Sequence, residues 1–261
     1  MRALDIAGTG MQAQQTNVEV ISNNIANMTT TGYKRRRAEF QDLMYQNLRR
    51  VGSNSSDSGS VVPSGAQIGL GVKTAAIYRI SEQGTLQQTS NSLDLAIQGN
   101  GYFQVTLPSG DTAYTRDGTF ALAADGTIVT SDGYSVAPGI TVPANAQSVT
   151  INGSGQVQVT IAGQTAASTV GQIQLAVFPN EAGLDAQGDN LLLQTTASGS
   201  PTNGNPSAAG FGSVMQGFVE GSNVNVVTEI TSLITAQRAY EMNSKVITAS
   251  DDLMQTLTNL K

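Results

Sequence analysis

The stretch Gly221–Lys261, GSNVNVVTEITSLITAQRAYEMNSKVITASDDLMQTLTNLK, decides the fold of this chain. Apolar residues recur in it every seven residues, and neither proline nor glycine interrupts it after Ser222. The spacing predicts one long amphipathic helix over 222–261, whose seam suits packing beside other helices. Ser222, Asn223 and Asn225 are candidate N-cap residues. The seam consists of Val226, Leu233, Tyr240, Ile247 and Met254, with Ala239, Val246, Leu253 and Leu260 one position earlier in each turn.

The other end of the chain carries a matching pattern between Arg2 and Asn27. It predicts a second helix, which Gly32 is suited to stop. Gly8 lies inside this helix, where glycine is a poor helix former. Each terminal helix therefore needs a partner for its apolar stripe. One row of this stripe is Leu4, Met11, Val18 and Ile25, and the other is Ala7, Gln14, Ile21 and Met28.

Composition limits the classes of function. The chain has 261 residues, which suits one or two domains, and its net charge is -6. That charge argues against nucleic acid or an anionic membrane as the main partner, and we interpret the basic run Lys34–Arg37 as a solvated or interface face. Only 12% of the residues are charged. A sparsely charged surface suits a protein that is covered by copies of itself.

The sequence contains no cysteine and no histidine. Disulfides, Cys/His metal sites, cysteine nucleophiles and histidine-based triads are therefore excluded, and we predict neither an enzyme nor a bound cofactor or metal. No apolar run reaches the roughly 18 residues of a membrane span. The first residues do not form a cleavable signal, because Gly8, Gln12 and Gln14 interrupt any apolar core. We expect any export to use another route.

The middle of the chain predicts strands. From Gly71 to about Thr196, short alternating segments are separated by turn residues, which indicates one antiparallel β domain with its own core. Asp117-Gly118, Asp125-Gly126 and Asp132-Gly133 predict a meander of short hairpins. The segment 215–220 reads as a strand before the last helix, with strand-like segments nearer the N-terminus as expected partners. Between the first helix and this domain, 51–65 is rich in glycine and serine and predicts a loop that orders on assembly.

No motif in the sequence indicates catalysis. Gly99-Asn100-Gly101 and Gly71-Val72-Lys73-Thr74 lack the spacing of nucleotide-binding loops. Aspartate before glycine at 117, 125 and 132 fits turn geometry better than a Ca²⁺ site or an acid/base pair. A secreted β-rich protein that binds or hydrolyses glycans remains an alternative of another class, supported only by carboxylates such as Asp94, Asp117 and Asp132.

The terminal helices cannot cover both of their faces alone. We therefore predict that the ends are largely disordered in the monomer and fold when neighbouring copies cover them. Contacts between different patches of identical subunits, repeated without closure, produce an open helical filament. The uncovered apolar faces of the terminal helices therefore favour a self-assembling structural protein.

Several stretches resemble the signatures of the bacterial flagellar rod and hook protein family. The N-terminal one is Ser22–Tyr33, SNNIANMTTTGY, and the C-terminal ones are Glu220–Asn225, EGSNVN, and Gln237–Asn243, QRAYEMN. The middle adds Asp94–Phe103 and Tyr114–Phe120, so the resemblance covers nearly the whole chain. The motif residues are Asn24, Ala26, Asn27, Gly32, Tyr33, Ser222, Asn223, Val224, Ala239, Tyr240 and Asn243.

The resemblance implies a fold and a function. The fold is mixed α and β, with long coiled-coil-type terminal helices flanking a central antiparallel all-β domain. The length and the Gln46–Gly65 insertion resemble the distal rod member of the family, and a proximal rod or hook subunit is the alternative. The implied function is a rigid helical tube that transmits torque and conducts exported subunits. The insertion, including Gln46, Arg49, Pro63 and Ser64, is implied to stiffen the rod.

The resemblance also implies domains, partners and location. The terminal helices, 1–32 and 222–261, would line the inside of the tube, and the β domain, 71–197, would lie outside. The segments 33–70 and 198–221 would connect them, with 46–65 as an extended hairpin or loop. The implied partners are copies of the chain, other rod and hook subunits, the L/P-ring bushing and the flagellar type III export apparatus. The implied location is the basal body, across the periplasm and the outer-membrane rings.

Overall fold

Contacts divide the chain into two units. The structure is a computed structural model that describes residues 2–49, 64–162 and 166–259. Unit 1 comprises Met1–Ile25, Arg36–Tyr78 and Asn225–Lys261, and unit 2 comprises Ala26–Arg35 and Arg79–Val224. The chain is thus mixed α and β, as predicted. The finer three-part division made from the sequence stays a prediction.

Unit 1 contains both predicted terminal helices, α1 (Arg2–Ala26) and α2 (Val226–Asn259). Of the three candidate caps for α2, Asn225 is the one that acts: its side-chain oxygen accepts a hydrogen bond from the Thr228 amide at 3.2 Å. Among the described residues, neither helix is apolar enough over a sufficient length to cross a membrane.

Unit 1 also contains four strands between the helices. They are β1 (Arg36–Asp42), β2 (Tyr45–Arg49), β3 (Ala66–Gly69) and β4 (Val72–Arg79). β1 pairs with β4 and β2 with β3, and two backbone hydrogen bonds, Leu43 to Gly71 and Leu70 to Met44, join the two ladders. The strands therefore form one long two-stranded arm. Most of the predicted insertion 46–65, including Pro63, lies outside the described residues.

Unit 2 is the predicted antiparallel β domain. It also has a short 3-10 helix, Glu181–Gly183. Its strands are β5 (Leu86–Gln88), β6 (Leu95–Gln98), β7 (Tyr102–Thr106), β8 (Thr112–Thr115), β9 (Ala121–Leu122), β10 (Ile128–Val129), β11 (Ser135–Val136), β12 (Ala146–Ile151), β13 (Gln156–Ile161), β14 (Ser168–Gln172), β15 (Leu175–Val177), β16 (Asp185–Gly188), β17 (Leu191–Leu193), β18 (Thr202–Gly204), β19 (Ser213–Gln216) and β20 (Phe218–Glu220).

The main sheet of unit 2 follows the order β16-β17-β8-β7-β11-β10-β9, with β15 pairing to both β7 and β18. Beside it lie a three-stranded sheet, β12-β13-β14, and the pairs β19-β6 and β20-β5. The central strands are apolar on their inner faces, and their side chains form one core that includes Leu95, Ile97, Phe103, Val157 and Leu175, each at most 1% exposed. A second cluster packs Tyr114 edge-on against Phe178, with ring centroids 4.7 Å apart.

Two sequence-based expectations about unit 2 were wrong. Gly126 and Gly133 have positive φ, as hairpin turns require, but Asp117-Gly118 does not join two paired strands. Gly118 is needed instead for close approach, because an added Cβ would lie 1.6 Å from the Leu95 carbonyl oxygen. The segment 215–220 was expected to form one strand, but it is split at Gly217, φ +75°, and its two parts pair with β6 and β5.

Gly118→Ala should destabilise unit 2, because a methyl group there must displace backbone of β6. We expect the free energy of unfolding to fall by about 2–4 kcal/mol. Gly153→Ala is the matched control, since the nearest atom to its Cβ would be 3.8 Å away. Urea unfolding of both variants measures the difference, and equal stabilities would show that β6 can move aside without cost.

Candidate assembly surface

The face of α2 that is buried within the chain is made of small and polar side chains. Glu229, Ala236 and Ser250 are its buried residues, with Ala236 only 2% exposed, and Asn243 falls on the same face. These four positions are spaced by seven, so they form one seam along the helix. This buried seam lies three residues after each member of the apolar stripe predicted from the sequence.

Helix α1 meets this seam at two recorded points. The Asn24 side-chain amide donates to Glu229 at 3.4 Å and to the Arg36 carbonyl at 2.8 Å. Its side-chain oxygen also accepts the Arg36 amide, at 2.8 Å. About four helical turns away, Gly10 lies so near Asn243 that an added Cβ would come within 2.8 Å of its side-chain nitrogen. The contact between the two helices thus consists of a hydrogen bond at Asn24 and a close approach at Gly10, where glycine leaves room for Asn243.

The large apolar side chains of α2 remain mostly exposed. Val227, Leu253 and Met242 are 75%, 64% and 63% exposed, and the others of this group are between 43% and 46%. The others are Ile230, Ile234, Tyr240, Val246 and Met254. A folded monomer rarely leaves so many large apolar groups in water along one element.

The predicted stripe residues differ in exposure: some are partly covered by the chain itself, and others are exposed. On α2, Val226, Leu233, Ala239 and Ile247 are half-buried, whereas Tyr240 and Met254 are each 43% exposed. On α1, Ile21 is buried, and Leu4, Met11, Val18 and Ile25 are half-buried. The predicted residues therefore lie on α-helical surfaces that the chain itself covers only in part.

The long arm of unit 1 presents a second apolar surface. Met44 is 80% exposed, and Tyr45, Leu48 and Ile68 are exposed on the β2-β3 hairpin. The predicted loop residues Gln46 and Arg49 lie on β2 and are exposed, and Ser64 is exposed before β3. On the other side of the arm base, the Thr9 hydroxyl accepts the Val72 amide at 3.3 Å, which ties the arm to α1 within unit 1.

A buried group of charges in unit 2, which we call the Glu220 cluster, joins Lys34, Arg116 and Glu220. The Glu220 residue is 0% exposed. One of its carboxylate oxygens accepts the Lys34 ammonium and the Gly84 amide, the latter at 2.9 Å. The other oxygen accepts the Arg116 guanidinium at 3.2 Å. Burial lowers the pKa of Lys34, and the attraction of Glu220 partly opposes that shift.

Arg116 connects the Glu220 cluster to the core of unit 2. Its guanidinium donates to the Gly99 carbonyl at 2.7 Å and lies 5.3 Å from the centroid of the Tyr102 ring. The Tyr102 hydroxyl donates to Glu181 at 3.0 Å. Burial, and then the charge of Glu181, raise the pKa of Tyr102 well above its usual range.

The carboxylates considered for catalysis are occupied locally. Asp94 accepts a hydrogen bond from Asn91 at 2.9 Å, and Asp117 accepts bonds from Thr119 and Asn190. Asp132 lies in a turn, and within the described ranges no cluster of three or more acidic side chains is arranged to hold a metal ion. Nothing in this geometry favours glycan hydrolysis.

Comparisons with known proteins identify the family. Three family models match: the flagella basal body rod protein at residues 4–34, the flagellar hook protein FlgE/F/G D1 domain at 96–159, and the flagellar basal body rod FlgEFG protein C-terminal at 215–260. The flagellar basal-body rod protein FlgG of Caulobacter vibrioides is 59% identical over 100% of both chains. That of Agrobacterium fabrum is 54% identical over 100% of both, and that of Buchnera aphidicola subsp. Schizaphis graminum 48% over 99% of both.

The chain belongs to the FlgG family of flagellar basal-body rod proteins. It is therefore a structural protein of the flagellar basal body, as the sequence motifs predicted, and it acts with other subunits of the rod and hook.

The N-terminal motif residues surround the end of α1. Asn24 is 1% exposed and makes the contacts with Arg36 and Glu229 described above. Ala26 ends the helix, and the side chain of Asn27 accepts the Thr30 hydroxyl at 3.1 Å. Gly32 has φ +69° and donates its amide to the Glu220 carbonyl at 2.7 Å. Tyr33 is half-buried, and its carbonyl accepts the Asn223 amide.

The C-terminal motif residues precede α2 and continue along it. The Ser222 hydroxyl accepts the Val224 amide at 3.3 Å, and Val224 is half-buried. The side-chain oxygen of Asn223 accepts the Arg35 amide at 2.7 Å, and its nitrogen donates to the carbonyls of Ile80 and Glu82, each at 3.0 Å. Asn223 thus joins three separate chain segments within unit 2.

Sequence reasoning missed the Glu220 cluster and the buried seam of α2. Glu220 follows two apolar strand residues, Phe218 and Val219, and a carboxylate in such a position is a signal for a buried ion pair. The heptad spacing of the small and polar seam residues was also visible, but the larger apolar residues beside them gave the stronger pattern.

Tyr102→Phe should reduce the loss of stability at alkaline pH. Because folding raises the pKa of Tyr102 above its ordinary value of 10.0, the unfolded chain loses this proton first, and stability falls as pH rises above 10. One such group changes the free energy of unfolding by up to about 1.4 kcal/mol per pH unit. Urea unfolding of both proteins from pH 8 to pH 11 measures this, with the values below pH 9 as the internal control.

If the two proteins lose stability with the same slope above pH 10, Tyr102 does not hold its proton in the folded state. Lys34, whose lowered pKa favours the folded state as pH rises towards 10.5, is present in both proteins and cancels in the comparison.

Proposed function

We propose that this chain is a subunit of the distal rod, which polymerises into a rigid helical tube. The observation that carries the proposal is the number of large exposed apolar side chains along α2 in a member of the FlgG family. Water contact with these side chains is unfavourable, and neighbouring copies of the same helices offer apolar surfaces of the same kind.

The terminal helices would line the inside of the tube. Their outer stripes, at the spacing of seven, suit coiled-coil packing between subunits, in which side chains of one helix fit between those of the next. Leu4, Met11, Val18, Ile25, Val226, Leu233, Tyr240, Ile247 and Met254 would take part in these contacts. The β unit would face outwards, and the three-part division of the chain follows from this arrangement.

The tube would transmit torque and conduct exported subunits through its centre. It would span the periplasm and pass the outer-membrane rings, with the L/P-ring bushing around it and other rod and hook subunits at its ends. The chain would reach this place through the flagellar type III export apparatus. A proximal rod or hook subunit is the alternative within the family, and the position of the subunit in purified basal bodies separates the two.

Leu253→Asp should block incorporation into rods while leaving the monomer folded, because Leu253 is 64% exposed in the single chain. Losing one buried leucine contact costs about 1.5–3 kcal/mol, so incorporation should fall tenfold or more. Gln255→Asp, also exposed on α2 but two positions further round the helix, is the matched control. Rod length in basal bodies purified from cells and viewed by electron microscopy measures the effect.

Normal rods built from Leu253→Asp subunits would contradict the proposed role of α2. Circular dichroism of the purified monomers checks that both substitutions leave the helix content unchanged.

The long arm of unit 1 would contact neighbouring subunits and stiffen the rod. Its exposed apolar residues, Met44, Tyr45, Leu48 and Ile68, support this role, since they need a covering surface. The arm can be shortened cleanly, because the Leu70 amide bonds to the Met44 carbonyl at 3.1 Å and leaves the chain ends side by side.

Replacing 45–69 by an Asn-Gly turn should leave rods that assemble but bend. The turn closes the ladder at Met44 and Leu70 without strain, so β1 and β4 stay paired. Electron microscopy of isolated rods gives the persistence length, which we expect to fall. Deleting only 50–63 keeps β2 and β3 and so separates the contribution of the paired strands from that of the segment between them. Rods as stiff as the parent in the longer deletion would refute the stiffening role.

A further inference from the structure

The Glu220 cluster holds together the segment that follows α1 and the segment that precedes α2. Lys34 lies in the segment after α1, and Glu220 ends the strand before α2. The Lys34 ammonium also donates to the Glu82 carbonyl at 2.8 Å, and Glu220 accepts the Gly84 amide. Three segments that are far apart in sequence, 32–35, 82–85 and 220–223, therefore meet inside unit 2. We call them the root segments.

Backbone hydrogen bonds and close packing complete this joint. The amides of Gly32 and Gly221 donate to the carbonyls of Glu220 and Thr85, at 2.7 and 2.8 Å. An added Cβ at Gly84 would lie 1.9 Å from the Gly221 carbonyl oxygen, so these backbones touch directly. Asn223, which lies in 220–223, bonds to the other two root segments through its side chain and its amide. The joint thus combines several hydrogen bonds between the root segments with direct contact between their backbones.

Stability alone does not explain buried charges at this place. Burying an ion pair costs desolvation that largely offsets the attraction, so packed apolar residues would serve stability as well or better. An ion pair does differ from apolar packing in one respect, because a buried carboxylate accepts bonds only from donors in fixed directions. Glu220 therefore selects one arrangement of the root segments rather than many.

We propose that Glu220 is a positioning residue that keeps the root segments ordered in the unassembled subunit. The helices that assemble would then start from fixed points in a preformed joint, whether or not the helices themselves are ordered. Fixing these starting points beforehand reduces the conformational entropy lost on assembly. The assembly part of this inference rests on the proposed function, whereas the order of the root segments in the monomer does not.

Hydrogen exchange of the monomeric full-length chain tests the first part. In the wild type, the amides of Gly32, Arg35, Gly84 and Gly221 should exchange as slowly as those of the β core. Glu220→Gln leaves two buried cations without their anion, so exchange at the root segments should accelerate about ten- to hundredfold while the core at β7 and β13 stays protected.

Two further variants separate positioning from general loss of stability. Lys34→Met keeps the Arg116–Glu220 pair but removes the bonds to Glu220 and to the Glu82 carbonyl, so it should loosen 32–35 most. Glu82→Gln removes an exposed pair, in which Glu82 lies 3.5 Å from Arg35 with its side chain 71% exposed, and should change nothing. Equal acceleration throughout unit 2 in Glu220→Gln, or unchanged exchange in both Glu220→Gln and Lys34→Met, would overturn the proposal.

Rod incorporation in cells tests the second part at a temperature well below the midpoint of unfolding of every variant. Incorporation should fall about tenfold or more in Glu220→Gln and Lys34→Met, by the same factor as hydrogen exchange accelerates in their root segments. It should not fall in Glu82→Gln. Loosened root segments with normal rods would overturn the role in assembly. If the wild-type subunit itself is absent from rods, the proposed function fails instead, and the exchange result still decides the order of the root segments.

Discussion

The arrangement of the root segments in unit 2 depends on the carboxylate of Glu220. It accepts bonds from an ammonium, a guanidinium and a backbone amide that come from three distant parts of the chain. A neutral side chain cannot satisfy all three donors, and leaving any of them unpaired in a buried site is unfavourable. In a chain with only 12% charged residues, this concentration of charge in the interior marks the place where chain geometry is most tightly specified.

Helix α2 reverses the usual division between inside and outside. Its contact with Gly10 and Asn24 of α1 uses a small or polar seam, whereas its larger apolar residues are exposed. Small residues let two helices approach closely but bury little apolar area, so this contact contributes little hydrophobic stabilisation. Most of the apolar area of α2 is therefore available for other partners, which is the pattern expected of a subunit in a polymer rather than of a monomer.

Local patterns in the sequence were sufficient for much of the fold. The heptad spacing predicted both helices: α1 ends at Ala26, one residue before the predicted Asn27, whereas α2 begins at Val226, later than the predicted Ser222. Asn225 was among the candidate caps, and Gly126 and Gly133 form the expected turns. Gly118 was misread because its reason is a neighbouring strand, not a turn. The Glu220 cluster could not be found by spacing, since Lys34 and Glu220 are 186 positions apart and only the fold brings them together.

Polar contacts and apolar contacts would have different roles in assembly: the polar contacts fix the register of the helices, and the apolar contacts supply affinity. An apolar stripe with a repeat of seven fits a neighbour almost equally well when shifted by one repeat, so it cannot fix the register of a helix pair. Asn24 can, because its side chain must reach both the backbone of Arg36 and the carboxylate of Glu229. A shift of one helix by a single turn would leave these buried groups unpaired. The register of α1 against α2 is therefore set within each subunit, and under the proposed function the outer stripes would supply affinity between subunits that already present the correct surface.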